Sequence, residues 1–307
     1  MKLPRLWGII RSMKAELRKA VNAIGRDREH GAGWLTLQSL EALKNACLVS
    51  DARTEAKFHS QIGEVVDALI QIRPGMVSIA NYALKFKDEL TAPQTSIKTV
   101  DRLKKLGLDT AGRLIKYQGK SAASVARHAT KLIGRRTIIM TCSYSSSVCS
   151  ALETAMRKGI EFKVLAVESR HGKISYGRIT AGRLEKAGIV CRIVPDEQVR
   201  WHVARADTVL IGADSVSLQG WLLNGSPALE VAEIAGRRTI PVYSICDKAK
   251  FDIRGFITGM RRPEPGFDMV PLELVSAFVT ESGLLKPDDI YNFAVDDIFG
   301  SRLAGTG

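Results

Sequence analysis

At 307 residues the chain is long enough for two domains, and 45% apolar with 25% charged residues is the balance of a folded protein, not a disordered one. Five scattered cysteines without a CxxC pair, scattered histidines and no run of eighteen apolar residues argue against a disulfide scaffold, a zinc site and a membrane span. The net charge of +13 points to anionic partners, whether a sugar phosphate, a nucleotide, an acidic protein surface or RNA.

The opening stretch MKLPRLWGIIRSMKAELRKA surrounds a short apolar patch with basic residues. It predicts a basic amphipathic helix docked on its domain and not a secretory leader, so a reduced cytoplasmic setting is expected. After REHGAG (28–33), Trp34, Leu37, Leu40 and Leu43 recur at helical spacing. Ile62, Val65, Val66, Leu69 and Ile70 repeat it until Arg73-Pro74-Gly75 stops the pattern, and Met76, Ile79, Ala80, Ala83 and Leu84 resume it. A further helix with Val125, Ala129, Leu132 and Ile133 ends at Gly134.

From there the character changes. The apolar runs TIIMT (137–141), FKVLAV (162–167), IVCRIV (189–194), TVLIGA (208–213) and TIPVYSI (239–245) alternate with helical stretches. Such alternation predicts a parallel sheet covered on both faces. The sequence GRRTI occurs at 134–138 and 236–240 and reads as a repeated turn, with glycine ending a helix before a strand. The predicted fold is α/β, with a helical N-terminal domain (1–118) followed by a Rossmann-like parallel-sheet domain (119–307).

In such a sheet, ligands sit at the carboxyl ends of the strands. Those ends carry Cys142 and the hydroxyl row Ser143–Ser147 of TCSYSSSV, then Glu168-Ser169-Arg170, Gly212-Ala213-Asp214, and Cys246-Asp247-Lys248 with Lys250. A helix opening near Ser145 and Ser146 adds free N–H groups and a positive dipole end suited to phosphate. Either serine can equally be an ordinary helix cap, and Glu168 with Arg170 can be a structural ion pair. Asp214 is the hardest to explain structurally: an acid on the ligand side of a buried strand has a plain role in proton transfer.

These residues also carry a resemblance. ESRHGKISYGRITAGRL (168–184), RPG (73–75), GADSVSLQGWLLN (212–224), KF (250–251) and FDMVP followed by TESG (267–283) resemble, in order, the regulatory subunits of translation initiation factor 2B and related sugar-phosphate isomerases. REHGA (28–32) resembles that family's N-terminal phosphate loop. The resemblance implies a phosphorylated sugar or nucleotide ligand contacted by Arg28, Gly31, Ala32, Arg73, Ser145, Ser146, Glu168, Arg170, Asn224 and Lys250. It also implies a homodimer formed through the C-terminal domain and a possible translation-factor partner. No cofactor and no metal are expected.

The isomerases of that family use a cysteine after the first strand and an aspartate after the fourth to move protons between aldose and ketose phosphates. Asp214 stands at the aspartate position. Ser143 stands at the cysteine position and Cys142 one residue early, where a neighbouring residue on an extended strand end points away from the site; only a sharp turn there would let Cys142 serve. Gly225 replaces a lysine that would neutralise phosphate, and Pro227 suits the first turn of the next helix. A serine hydroxyl without an adjacent base is too weak an acid to replace a thiol. The first expectation is therefore a non-catalytic ligand-binding protein. The alternative is an aldose–ketose isomerase working through Asp214 with Cys142 or Ser143; a nucleic-acid-binding role rests on charge alone.

Overall fold

The computed structural model describes residues 3–92 and 99–299. It divides into two compact units, one up to Gly119 and one from Lys120. The first is helical: α1 (Leu3–Ser12), α2 (Ala15–Arg26), α3 (Ala32–Val49), α4 (Glu55–Ile72), α5 (Val77–Leu90) and the first part of α6 (Val100–Ala129). The opening stretch is two helices and not one, because Lys14 adopts an extended conformation between them. Its ammonium donates to the Val49 carbonyl and pairs with Asp51 at 3.2 Å.

The core of this unit is built from Leu35, Leu40 and Leu43 on α3, Phe58, Ile62 and Leu69 on α4, and Ile79, Tyr82 and Phe86 on α5. The buried face of α3 is thus rotated from the predicted stripe. Trp34 lies at the surface, stacked on His30 with ring centroids 3.9 Å apart, so part of its apolar area is covered locally.

The second unit runs β1 (Thr137–Thr141), α7 (Ser146–Arg157), β2 (Phe162–Val167), then a small hairpin, β3 (Arg170–His171) and β4 (Ile174–Ser175). It continues with α8 (Tyr176–Lys186), β5 (Cys191–Val194), α9 (Val199–Val203), β6 (Thr208–Ile211), β7 (Ser215–Ser217) and β8 (Trp221–Gly225). Last come α10 (Ala228–Arg237), β9 (Val242–Ile245), β10 (Phe251–Asp252), β11 (Phe267–Pro271), β12 (Ala277–Thr280), β13 (Gly283–Leu285) and α11 (Val295–Phe299).

The main sheet has the order β13-β12-β9-β6-β1-β2-β5, parallel except at β13. Successive residues of each strand face opposite sides. Ile139 and Leu210 pack with Val148, Leu152 and Leu184, while Met140, Val209 and Ile211 pack with Val199, Val203, Val231 and Ala235. Helices therefore bury both faces, as near-continuous apolar strands require.

The chain builds outward from β1 to β2 and β5, then returns to the other side of β1 with β6. That reversal is a topological switch point, and in open sheets of this kind ligands bind in a crevice outside the carboxyl ends of the two strands that flank it, here β1 and β6.

The two GRRTI segments fold differently. After Gly134 the chain turns at Arg136 (φ 58°) and enters β1 at Thr137. Gly236 instead lies within α10, the turn falls at Thr239 (φ 56°), and β9 starts only at Val242, beyond Pro241. A second sheet, β10-β7-β8-β11, was not foreseen; β7 has three residues and β10 two, too few to show a period.

Candidate functional site

β1 delivers Cys142 into the core, where it is fully buried beside Met140, Val167 and Ile211. Burial pushes its thiol far above the ordinary range, with the charges of Asp268 and Asp196 adding to the effect. The chain does turn sharply after it, since Ser143 has φ 59°, yet the turn leaves Cys142 inside and brings Ser143 to the crevice.

That left-handed serine is held on both sides. Its N–H donates to Ser169 Oγ at 2.7 Å, and its carbonyl accepts from Thr180 Oγ1 at 3.1 Å. Ser169 is itself left-handed (φ 49°) and buried, and its N–H and that of Arg170 donate to the Asp196 carboxylate at 2.7 and 2.9 Å. Strain of this kind persists only where the surroundings over-determine it. Here the ends of β1, β2 and β5 do so.

Ser145 caps α7, its Oγ accepting from the Val148 N–H at 3.3 Å. The capping and ligand-facing readings are compatible, because the amides of Ser146 and Ser147 have no acceptor among the described residues. Gly212, just past β6, makes space for this arrangement. A Cβ there would lie 2.6 Å from Ser145 Oγ and 3.6 Å from Asn224 Oδ1. Asn224 is only 4% exposed, and its Nδ2 is buried without a hydrogen-bond partner. Asp214 follows two residues after Gly212, half-buried, its N–H donating to Leu223 O at 2.8 Å. Ser143, Ser145, Gly212, Asp214 and Asn224 thus gather at the ends of β1, β6 and β8.

Gly225 lies against Ser143 so closely that a Cβ at 225 would fall 2.1 Å from Ser143 Oγ. Positions 143 and 225, where the sequence departs from the resembled pattern, are therefore in contact. Gly225→Ala should destabilise the fold by about 1–3 kcal/mol through overpacking. Ser143→Gly in the same chain should restore most of it, glycine being at ease at φ 59°. Urea unfolding of the two single variants and the double variant checks this, and additive effects would mean the two positions do not share space.

The start of α10 carries a carboxylate. Asp268 accepts from Ser226 Oγ at 2.6 Å and from the Leu229 N–H at 3.0 Å. Pro227 precedes the first helical residue and does not lie within the first turn.

Glu168 and Arg170 form the ion pair that the sequence left open, with Arg178 at 3.6 Å as a second partner. Lys250 is buried after β9. It is close to Cys246, alongside Asp247. At the neighbouring end of β12, Glu281 accepts from the Lys248 N–H at 3.1 Å. Burial, and secondarily Asp247, raise the Glu281 carboxyl to about 7.

In the helical unit, Arg28 donates to the carbonyls of Gly25 and Asp27 at 2.8 and 2.9 Å, and buried Arg73 donates to that same Asp27 carbonyl. Gly31 precedes α3 without a side-chain cap, and Ala32 is its first, buried residue. Asp27 organises this loop by accepting from the N–H groups of Glu29 and His30. Burial pushes its carboxyl up, but the hydrogen bonds of His30 and Glu29 outweigh that and hold it below the usual value.

Sequence reasoning gave no role to Ser169, Thr180, Asp196, Asp268 or Glu281. Ser169 was placed at a strand end, Thr180, Asp268 and Glu281 lie inside the quoted motifs, and Asp196 follows the run 189–194 by two residues, so position was the available signal. Among the described residues, no group of three or more His, Cys, Asp or Glu is placed to hold a metal ion, and no helix is long and apolar enough to cross a membrane.

The fold and crevice define an α/β protein of Rossmann-like type with its candidate site at the switch point. The chain belongs to the initiation factor 2 subunit family, whose model matches residues 28–264. It is 26% identical to a ribose 1,5-bisphosphate isomerase of Methanocaldococcus jannaschii, over 88% of this chain and 91% of that one. It is likewise 26% identical to a putative translation initiation factor eIF-2B subunit 2-like protein of Pyrococcus furiosus, over 88% and 96%. The crystal structure of the Pyrococcus horikoshii translation initiation factor eIF-2B shares the fold, with a TM-score of 0.77 and 23% identity over 91% of this chain and all of that one.

Proposed function

We propose that the chain binds a phosphorylated sugar or a nucleoside monophosphate at the carboxyl ends of β1 and β6 and does not turn it over. One observation carries this reading. The residue delivered to the crevice is Ser143, and no base is hydrogen-bonded to its hydroxyl among the described residues, while the neighbouring thiol of Cys142 is fully buried. An unactivated hydroxyl is too weak an acid and too weak a base to drive the proton transfers of an aldose–ketose shift at neutral pH. The open amides of Ser146 and Ser147, the helix dipole behind them and the buried donor of Asn224 support binding.

The second reading is an aldose–ketose isomerase. It is favoured by Asp214 after β6 and by relatives named ribose 1,5-bisphosphate isomerase. Phosphorus and carbon NMR of the protein with ribose 1,5-bisphosphate, methylthioribose 1-phosphate and adenosine monophosphate separates the two. Broadened ligand signals without product are expected. Ketose signals that grow with protein concentration and vanish in Asp214→Asn would overturn the non-catalytic reading.

The proposal extends to assembly: a homodimer through the unit beginning at Lys120, in the cytosol, with a translation factor as partner. Family members with solved structures include a tetrameric eIF2B-beta2-delta2 complex. A monomer by analytical ultracentrifugation at micromolar concentration would end that part of the proposal.

A further inference from the structure

The crevice has two helix starts close to it, and they differ. At α7 the amides of Ser146 and Ser147 are open, and Asn224, only 4% exposed, offers an unpartnered Nδ2 beside Gly212 and Ser145. A buried donor without an acceptor is costly unless something fills the place. At α10 a carboxylate already stands at the helix start: the Ser226 hydroxyl and the Leu229 amide both donate to Asp268. The preceding position, Gly225, carries no side chain, and Ser143 Oγ occupies the point from which one would grow.

We infer that the site selects a phosphate monoester over a bisphosphate, because the α10 end holds a fixed carboxylate and, at Gly225, no side chain to offset it. This rests on the ligand-binding reading above and narrows it. A second phosphate near α10 would meet a like charge on Asp268 with no lysine to offset it, whereas a sugar or base hydroxyl there can donate to that carboxylate. The neutral end of the ligand therefore lies toward α10, and its phosphate toward α7.

Isothermal titration of the full chain with ribose 5-phosphate, adenosine monophosphate and ribose 1,5-bisphosphate tests this. At least one monoester is expected to bind about tenfold or more tighter than the bisphosphate, close to 1.4 kcal/mol. Asp268→Asn, which keeps an oxygen for the Leu229 amide, should narrow the gap by strengthening bisphosphate binding. The wild-type titrations stand without that variant should it fold poorly. Bisphosphate binding as tight as or tighter than both monoesters would overturn the inference and leave the ligand-binding reading standing. Binding by none of the three would overturn that reading and this inference with it.

Discussion

Gly177→Ala is expected to destabilise the second unit by about 3 kcal/mol, at the upper end of what a single added carbon costs in a packed interior. Gly177 opens α8 against the end of β2, its N–H donating to Glu168 O at 2.9 Å. A Cβ there would lie 2.2 Å from Val167 O, 2.8 Å from Glu168 Cα and 2.9 Å from Val167 C. All three are backbone atoms, so no rotamer change relieves the collision. Either α8 moves away or the end of β2 moves with Ser169, whose hydroxyl holds the Ser143 amide. Urea unfolding reads the first effect, and ligand titration reads the second. A loss below about 1 kcal/mol with intact binding would mean that α8 is not held this close.

Glu281→Gln is expected to stabilise the protein in alkaline solution and to leave it nearly unchanged in acid. The folded carboxyl is raised to about 7 against an ordinary 4.5. Below the ordinary value both folded and unfolded chains hold the proton, and no penalty arises. Between the two values the unfolded chain releases its proton while the folded one keeps it, so stability falls as pH rises, and it levels off above about 7. The interval corresponds to roughly 3 kcal/mol. Glutamine keeps an oxygen for the Lys248 amide and removes the titration. The readout is the wild-type-minus-variant difference in unfolding free energy at pH 5 and pH 8. A difference that does not change between them would mean Glu281 is ionised throughout.

The parallel strands were legible because they are buried on both faces: β1 and β2 match the apolar runs at 137–141 and 162–167 residue for residue. Where strands are short or lie in the second sheet, as with β7 and β10, neighbouring chain rather than local pattern holds them. The left-handed turn at Ser143 could not be read, since nothing in a serine marks φ 59°; Ser169 and Thr180, residues 26 and 37 positions away, impose it. Asp268 was invisible as a helix cap for the same reason. It closes α10 from 39 residues downstream of Leu229. Ser145 and Asp214 were assigned to strand ends from the apolar runs alone, and they do follow β1 and β6; that these two strands are neighbours is set by the strand order, which the sequence did not show.

The contact between Ser143 and Gly225 also makes the two positions mutually dependent for anyone redesigning the site. A long side chain placed at 225 alone meets the serine, because the two would occupy one volume. Position 143 has to be emptied or turned away in the same step, so the pair behaves as one interlocked unit that single substitutions do not explore.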